Sequence, residues 1–413
     1  MTTNEAPLQS ENALLESREQ QTLGAYIQTY LQRVRAGALG PLPIIIGIVA
    51  VAIFFQSRNA AYLSPNNIVN LIMQMSGIAL IAFGVVFVLL LGEIDLSVAY
   101  VSGVAGVIAT ILMRPPHNLE WYLTVPIALL AALGIGTLQG FLITTFQLPS
   151  FIVTLAGLLA WNGAILLLVG AGGTVGIPAS PFREIANVYL PPELGLGFVV
   201  VLVVAYAATQ FIQLQSRRAQ GLNAKPITII GIQIAILVVL AVGVVLIVNQ
   251  DRGLPLIGAI VIVTLIVLTF ITRNTRFGRY VFAVGGNKEA ARRAGIRVER
   301  VRLYVFMLCS FMAGVGGIIL ASRLKSVSAN QGGGQLLLNC ISAAVIGGTS
   351  LFGGRGAVYS AVLGALLIAM VENGMVFLRL ETGWQFIITG IVLVLAVIVD
   401  SLSQRSQKRS GLA

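Results

Sequence analysis

The chain has 413 residues, of which 57% are hydrophobic and only 10% are charged. A water-soluble domain carries roughly 45–50% apolar and about 25% charged residues, so this composition excludes an ordinary soluble domain and makes lipid the solvent. The formal charge of +11 does not point to nucleic acid, because no basic patch is interleaved with aromatic residues.

Residues 1–39 read as a cytoplasmic tail. Their polar, Glu-rich opening lacks the basic n-region of a cleavable signal. Residues 22–36 have the pattern of an amphipathic surface helix, with Arg33 and Arg35 at the headgroups. Beyond them come apolar segments at 40–56, 67–91, 94–113, 121–143, 150–170, 194–212, 226–248, 254–272, 303–322, 335–353, 356–378 and 383–400. A spanning helix needs about 20 mainly apolar residues. The expected fold is therefore all-α: a polytopic transmembrane helix bundle of about 10–12 spans over 40–403, with a cytoplasmic tail at 404–413. With the N-terminus inside, 19 of the 26 Lys and Arg fall in cytoplasmic loops. That bias follows the positive-inside rule and puts both termini in the cytoplasm.

Two long apolar stretches are broken by glycine-containing strings. GEIDLS, Gly92 to Ser97, interrupts 67–113, and GGTSLFGGRG, Gly347 to Gly356, interrupts 335–379. Asp95, Ser97, Thr349 and Ser350 can cap the backbone N–H groups freed at such breaks. Paired interruptions of this kind are a sequence pointer to a transporter's substrate path; two tight turns at the membrane surface would give the same pattern. The intramembrane polar residues Asn70, Gln74, Glu93, Asn162, Asn339, Glu372 and Asn373 join these as candidates for the path, since polar groups in a span face a cavity or a partner. The Gly- and Pro-rich segment 171–192 reads as an external loop or short gate. The spans at 194–212 and 226–248, joined by a basic linker at 213–225, read as an inserted hairpin. Trp121, Tyr122 and Trp384 suit interfacial anchoring.

No GxxxxGK[ST] string is present, so no phosphate-binding loop of the Walker type is expected in this chain. Cys309 and Cys340 lie in apolar segments and His117 is the single histidine, which leaves no metal-ligand spacing to argue from. No nucleophile, base and orienting acid occur together, so an enzyme active site is not expected. The densest feature is the basic loop from Arg273 to Arg302, with nine Lys and Arg and the two acids Glu289 and Glu299. Within it, 287–294 favours a short helix. Asn287 suits the N-cap, Glu289 the positive end, Arg292 and Arg293 the negative end, and Gly295 the C′ position.

The string EAARRAGI, Glu289 to Ile296, resembles the coupling motif of the permease subunits of ATP-binding cassette (ABC) importers. The longer string GRYVFAVGGNKEAARRAGIRVERV resembles the monosaccharide branch of that family, the ribose, xylose and arabinose permeases. GEIDLSV at 92–98, VIGGTSLFGGRG at 345–356 and ENGM at 372–375 agree with it. PSFIVTLAGLLAWNG at 149–163 and the inserted segment 194–270 look most like the xylose-type permeases. The resemblance covers about residues 60 to 402. It implies a homodimer of permeases in a bacterial inner membrane, a cytoplasmic ATPase that holds ATP and Mg, and a periplasmic sugar-binding protein. This chain would itself bind no cofactor. The resemblance also implies that Asn287, Glu289, Ala290, Ala291, Arg292, Arg293 and Gly295 couple the chain to the ATPase. One departure stands out: where the family carries an acidic string before the IGG segment, this chain has LLLN, Leu336 to Asn339.

The function expected is import of xylose or a related pentose. Alternatives are the same importer class with another cargo (ribose, another sugar, a nucleoside, a branched-chain amino acid), an ion-coupled secondary transporter, or a membrane scaffold without a transport path.

Overall fold

The computed structural model describes residues 40–170, 173–221, 225–381 and 383–391, with a few isolated positions outside those ranges. The expected surface helix at 22–36 and the tail at 404–413 lie outside the described residues, as does most of the final span beyond 391.

The described chain is helical, as its composition requires. In lipid a lone segment can satisfy its own backbone only as a helix. The helices are α1 (Leu42–Arg58), α2 (Pro65–Leu90), α3 (Val98–Leu112), α4 (Trp121–Thr145), α5 (Ser150–Val169), α6 (Pro192–Ala219), α7 (Ile227–Val248), α8 (Leu256–Asn274), α9 (Arg276–Gly286), α10 (Lys288–Arg293), α11 (Val298–Leu324), α12 (Gly334–Ile346) and α13 (Tyr359–Phe377). Residues 383–391 are helical as well. Eight of the described helices are long and apolar enough to cross a membrane; α1, α3 and α12 are shorter and apolar. Among the described residues each expected apolar segment thus has a helix, although several boundaries move. The α6 helix runs on to Ala219, into the 213–225 stretch expected to be a linker. The α3 helix begins after the GEIDLS string, α12 stops at Ile346, and α11 starts at Val298, inside the stretch expected to be loop.

The polypeptide divides into two compact units. Among the described residues, one is Leu190–Gly253, which holds α6 and α7. This is the hairpin expected as an insertion. Its helices are apolar around most of their surface, with Val201, Val239 and Leu240 well exposed, the pattern of a face that meets lipid rather than water.

The other unit carries the remaining helices around α11 and α2. Ser64 caps α2 by accepting from Asn67 N–H, and Pro65 follows at the first helical position. The packing around α11 depends on small residues, as expected where apolar burial gives no net drive between helices. A Cβ on Gly317 would sit 1.9 Å from the carbonyl oxygen of Ser102 on α3, and one on Gly136 of α4 would sit 2.6 Å from the carbonyl oxygen of Phe306. At the far end of α11, β1 (Thr174–Gly176) pairs antiparallel with β2 (Ser326–Ser328). The segment after α5, expected as an external loop or short gate, is therefore a packed cap. Phe182 and Ala186 are buried in it, Ala186 N–H donates to Ser322 Oγ at 3.1 Å, and Lys325 Nζ meets Glu184 Oε2 at 3.0 Å.

Candidate functional site

The sequence from Arg273 to Arg302 folds as helix, corner, helix, corner, helix. Thr275 caps α9 by accepting from Gly278 N–H at 3.3 Å. Its buried residues Gly278, Val281 and Val284 face inward, while Arg276, Arg279 and Tyr280 are exposed. Phe277 stacks on Phe87 near the end of α2, with centroids 6.4 Å apart.

The short helix α10 forms as its residues dictate. Asn287 Oδ1 accepts from Ala290 N–H at 2.9 Å. At the other end Gly295 has φ +82, its N–H bonds Arg292 O, and Ile296 N–H bonds Ala291 O. Those two bonds make a Schellman stop, which needs the left-handed residue that glycine supplies. Ala291 is the buried residue of the helix; Glu289, Ala290, Arg292 and Arg293 are exposed. Arg292 reaches Glu289 Oε1 and Glu299 Oε1, both at 2.9 Å. Bonding to Glu299 is the first cause that raises the pKa of Arg292. The Glu299 carboxyl lies below its usual value, first through its own backbone N–H and then through Arg292. Arg292 therefore braces α10 against the first turn of α11.

A second tie comes from a residue expected elsewhere. Glu93, 4% exposed, accepts from Lys288 Nζ at 3.1 Å and from Arg302 Nε. Lys288 opens α10 and Arg302 lies near the start of α11, so the α2–α3 break is bonded to both. Glycines bring the backbones together at the same place. Gly354 N–H donates to Leu90 O at 2.9 Å, and Cβ atoms on Gly285 and Gly353 would collide with Leu90 O and with Gly92. The two glycine strings, expected as either a substrate path or tight turns, thus meet each other and the basic segment.

The other candidates on those strings are committed locally. Asp95 Oδ1 accepts from Ser97 N–H at 2.8 Å and from Ser97 Oγ at 2.7 Å. Ser97 is the N-cap of α3 without a side-chain capping bond of its own, so the capping expected of it is done by Asp95. Gln139 Nε2 on α4 donates to Ser97 Oγ at 2.8 Å. Thr349 shares a 2.6 Å hydroxyl bond with Ser360 on α13, and Ser350 Oγ accepts from Phe352 N–H.

A second group of polar residues lies among α2, α12 and α13. Asn67 and Asn373 exchange two amide hydrogen bonds of 2.8 and 3.0 Å. Asn67 also donates to Tyr62 O, and Tyr62 Oη donates to Met370 O. This belt fastens α2 to α13. Asn66 and Asn70 are bonded side chain to side chain on α2, with Gln74 half-buried one turn on. Glu372 Oε1 accepts from Asn339 Nδ2 at 2.8 Å and from Gln335 Nε2 at 3.2 Å. Asn339 of the LLLN string thus meets a carboxylate from α13. Asn162 is half-buried on α5, apart from either group. Sequence reasoning missed Lys288 and Arg302 as partners of Glu93, and Gln335 and Ser342; the i, i+4, i+7 spacing of Gln335, Asn339 and Ser342 was the available signal. Among the described residues, no group of three or more His, Cys, Asp and Glu could hold a metal ion.

Residues 67–397 match the family model described as "branched-chain amino acid transport system / permease component". The xylose transport system permease protein XylH of Escherichia coli (strain K12) is 38% identical over 88% of this chain and 92% of its own length. The protein of the same name from Haemophilus influenzae is 35% identical over 88% of this chain and 96% of its own. The ribose import permease protein RbsC of Bacillus subtilis is 28% identical over 91% of this chain and 97% of its own. No solved structure matches.

Proposed function

The chain belongs to the permease-component family of importers named for branched-chain amino acid transport, and we propose that it is the membrane subunit of an ABC importer for a pentose, with xylose first. The relatives that match nearly the whole chain at 38% and 35% identity are named for xylose transport, and the ribose permease follows at 28%. That order favours a sugar over the amino acid in the family's description.

The observation that carries the coupling role is α10. It is a short, exposed helix fixed at both ends, braced by Arg292 and rooted in the bundle through Lys288 and Glu93. A solvated loop needs none of this, whereas a docking helix must pass on force without bending. ATP and Mg bind to a partner ATPase on the cytoplasmic side of a bacterial inner membrane. A periplasmic binding protein delivers the sugar to a permease dimer. Closure of the ATPase pair moves α10, and the motion reaches α2, α3 and α11 through the carboxylate of Glu93. The sugar then follows the polar face of α12 and α13.

Uptake of labelled D-xylose by cells that lack other pentose transporters, and that express this chain with its ATPase and binding protein, tests the reading. Competition by unlabelled xylose and none by leucine is expected. Leucine-sensitive uptake that ignores xylose contradicts it.

A further inference from the structure

We propose that the corner between α8 and α9 is a binding site for the headgroup of an anionic phospholipid, held by Arg273, Arg276 and Arg279. The inference goes beyond the importer reading and holds whichever cargo is carried.

The corner stands where the lipid-facing surface of α8 ends. Val263, Val267 and Phe270 recur at i, i+4 and i+7 on this helix, and each is half exposed or more. Such a stripe on a helix long enough to span meets acyl chains. Arg273 is exposed three residues after Phe270, on the same side of α8 and about 4.5 Å further along its axis. That step leads from the hydrocarbon to the headgroups, the level at which basic and aromatic residues anchor a membrane protein.

The start of α9 is pressed against the last turn of α8. A Cβ on Gly278 would collide with the carbonyl oxygens of Thr272 and Ile271, so the two backbones touch there. Arg273 and Arg279 are each one residue from that contact, and Arg276 opens α9 between them. The inner face of α9 is apolar and buried, while Arg276, Arg279 and Tyr280 are exposed on the outer one. This is the make-up of a helix that lies at a membrane interface.

The charge of the corner is left unbalanced. Among the described residues, the acids within the 273–302 segment or bonded to it are Glu93, Glu289 and Glu299, and Lys288, Arg292 and Arg302 hold all three. No ion pair or side-chain hydrogen bond among the described residues reaches Arg273, Arg276 or Arg279. Guanidinium groups gathered without an acid repel one another, and an anion from outside the chain relieves this. A lipid phosphate at the edge of the acyl chains is such an anion: arginine binds its oxygens in pairs, and each basic residue near an anionic surface adds attraction. The acyl chains of the same lipid cover Val263, Val267 and Phe270. A water-soluble partner would meet the arginines and leave that stripe bare.

The test is hydrogen exchange of the 275–286 amides in the full-length permease, in nanodiscs of phosphatidylcholine doped with increasing phosphatidylglycerol. Slower exchange that saturates with phosphatidylglycerol is expected. Arg276→Gln with Arg279→Gln should raise the half-saturating content roughly thirtyfold, from two basic residues lost. Arg293→Gln, which removes an exposed charge from α10, should leave it unchanged. Glycerol phosphate added to phosphatidylcholine nanodiscs should give no protection. The wild-type comparison needs no variant, so a double variant that fails to fold does not spare the proposal. Equal exchange with and without phosphatidylglycerol overturns it, as does an equal effect of Arg293→Gln, which would mean net charge rather than a site. Protection by glycerol phosphate, or by the assembled ATPase alone, also overturns it by giving the patch to a soluble anion or to the partner chain. None of these outcomes bears on xylose uptake, so the importer reading stands or falls separately.

Discussion

Lys288 Nζ lies 3.1 Å from Glu93 Oε1, so the first residue of α10 is held by the break between α2 and α3, almost two hundred residues earlier in the chain. Glu93 is buried and also holds Arg302, which makes it the meeting point of three elements. Glu93→Gln keeps the side-chain size and removes the charge. Removing one member of a buried ion pair strands the others, so ATP-driven uptake should fall about tenfold, the rate equivalent of ~1.4 kcal/mol. ATPase activity should persist in the assembled transporter. Transport at the wild-type rate would show that force reaches the bundle by another route.

Gly295 sets where α10 stops. An alanine at φ +82 carries the left-handed penalty of roughly 1–2 kcal/mol. Gly295→Ala should therefore fray or extend the helix and lower uptake, while the melting temperature of the membrane bundle moves little. Hydrogen exchange of the 288–297 amides checks it: faster exchange confined to that segment is expected.

The brace between Arg292 and Glu299 should be pH-dependent. The Glu299 carboxyl is depressed in the folded chain, so its contribution is present above its unfolded pKa of about 4.3. It is lost as pH falls through the lower folded value. The difference in α10 exchange between wild type and Glu299→Gln should be measurable at neutral pH and disappear in acid once the Glu299 carboxylate is protonated. A difference that persists in acid would mean that the carboxylate is not the source. Both side chains are about half exposed, so the effect is expected to be small.

The amide belt of Asn67 and Asn373 is assigned to stability. Asn373→Ala leaves the Asn67 amide short of a partner and should cost about 1 kcal/mol. A double-mutant cycle with Asn67→Ala in detergent-solubilised protein should return a coupling of roughly 0.6 kcal/mol, the usual value between membrane helices. Loss of transport with unchanged melting would instead move these residues to the path.

Much of this was legible in the chain. Spans follow from runs of apolar residues, and α10 follows from the order Asn287, Glu289, Gly295, because caps and stops are local chemistry. The inserted hairpin shows itself as two apolar runs around the basic linker at 213–225. What was not legible was three-dimensional. Glu93 and Asp95 share one string, yet one bonds α10 and the other caps its own helix; sequence gives no sign of which carboxylate turns towards Lys288. The glycine breaks fitted a substrate path and a pair of tight turns equally, because period and composition carry no depth. The structure brings both to the end of the bundle where Leu90, Gly285 and Gly354 meet. That Glu372 bonds Asn339 of the LLLN string was not legible either, because it depends on α13 folding back beside α12.

Docking itself can be trapped. The two native cysteines, Cys309 and Cys340, are buried, so a Glu289→Cys variant offers one accessible thiol among the described residues. A bifunctional maleimide should join it to the ATPase subunit in membranes, with a yield that changes when ATP is added. Cross-links to the binding protein alone would place α10 on the wrong side.

The most direct test is reconstitution of the permease in liposomes with binding protein and D-xylose outside. With the ATPase assembled on the other face and ATP inside, concentrative xylose uptake is expected, abolished when ATP is replaced by a non-hydrolysable analogue. Uptake by the permease alone, driven by a sodium or proton gradient with no ATPase present, would contradict it.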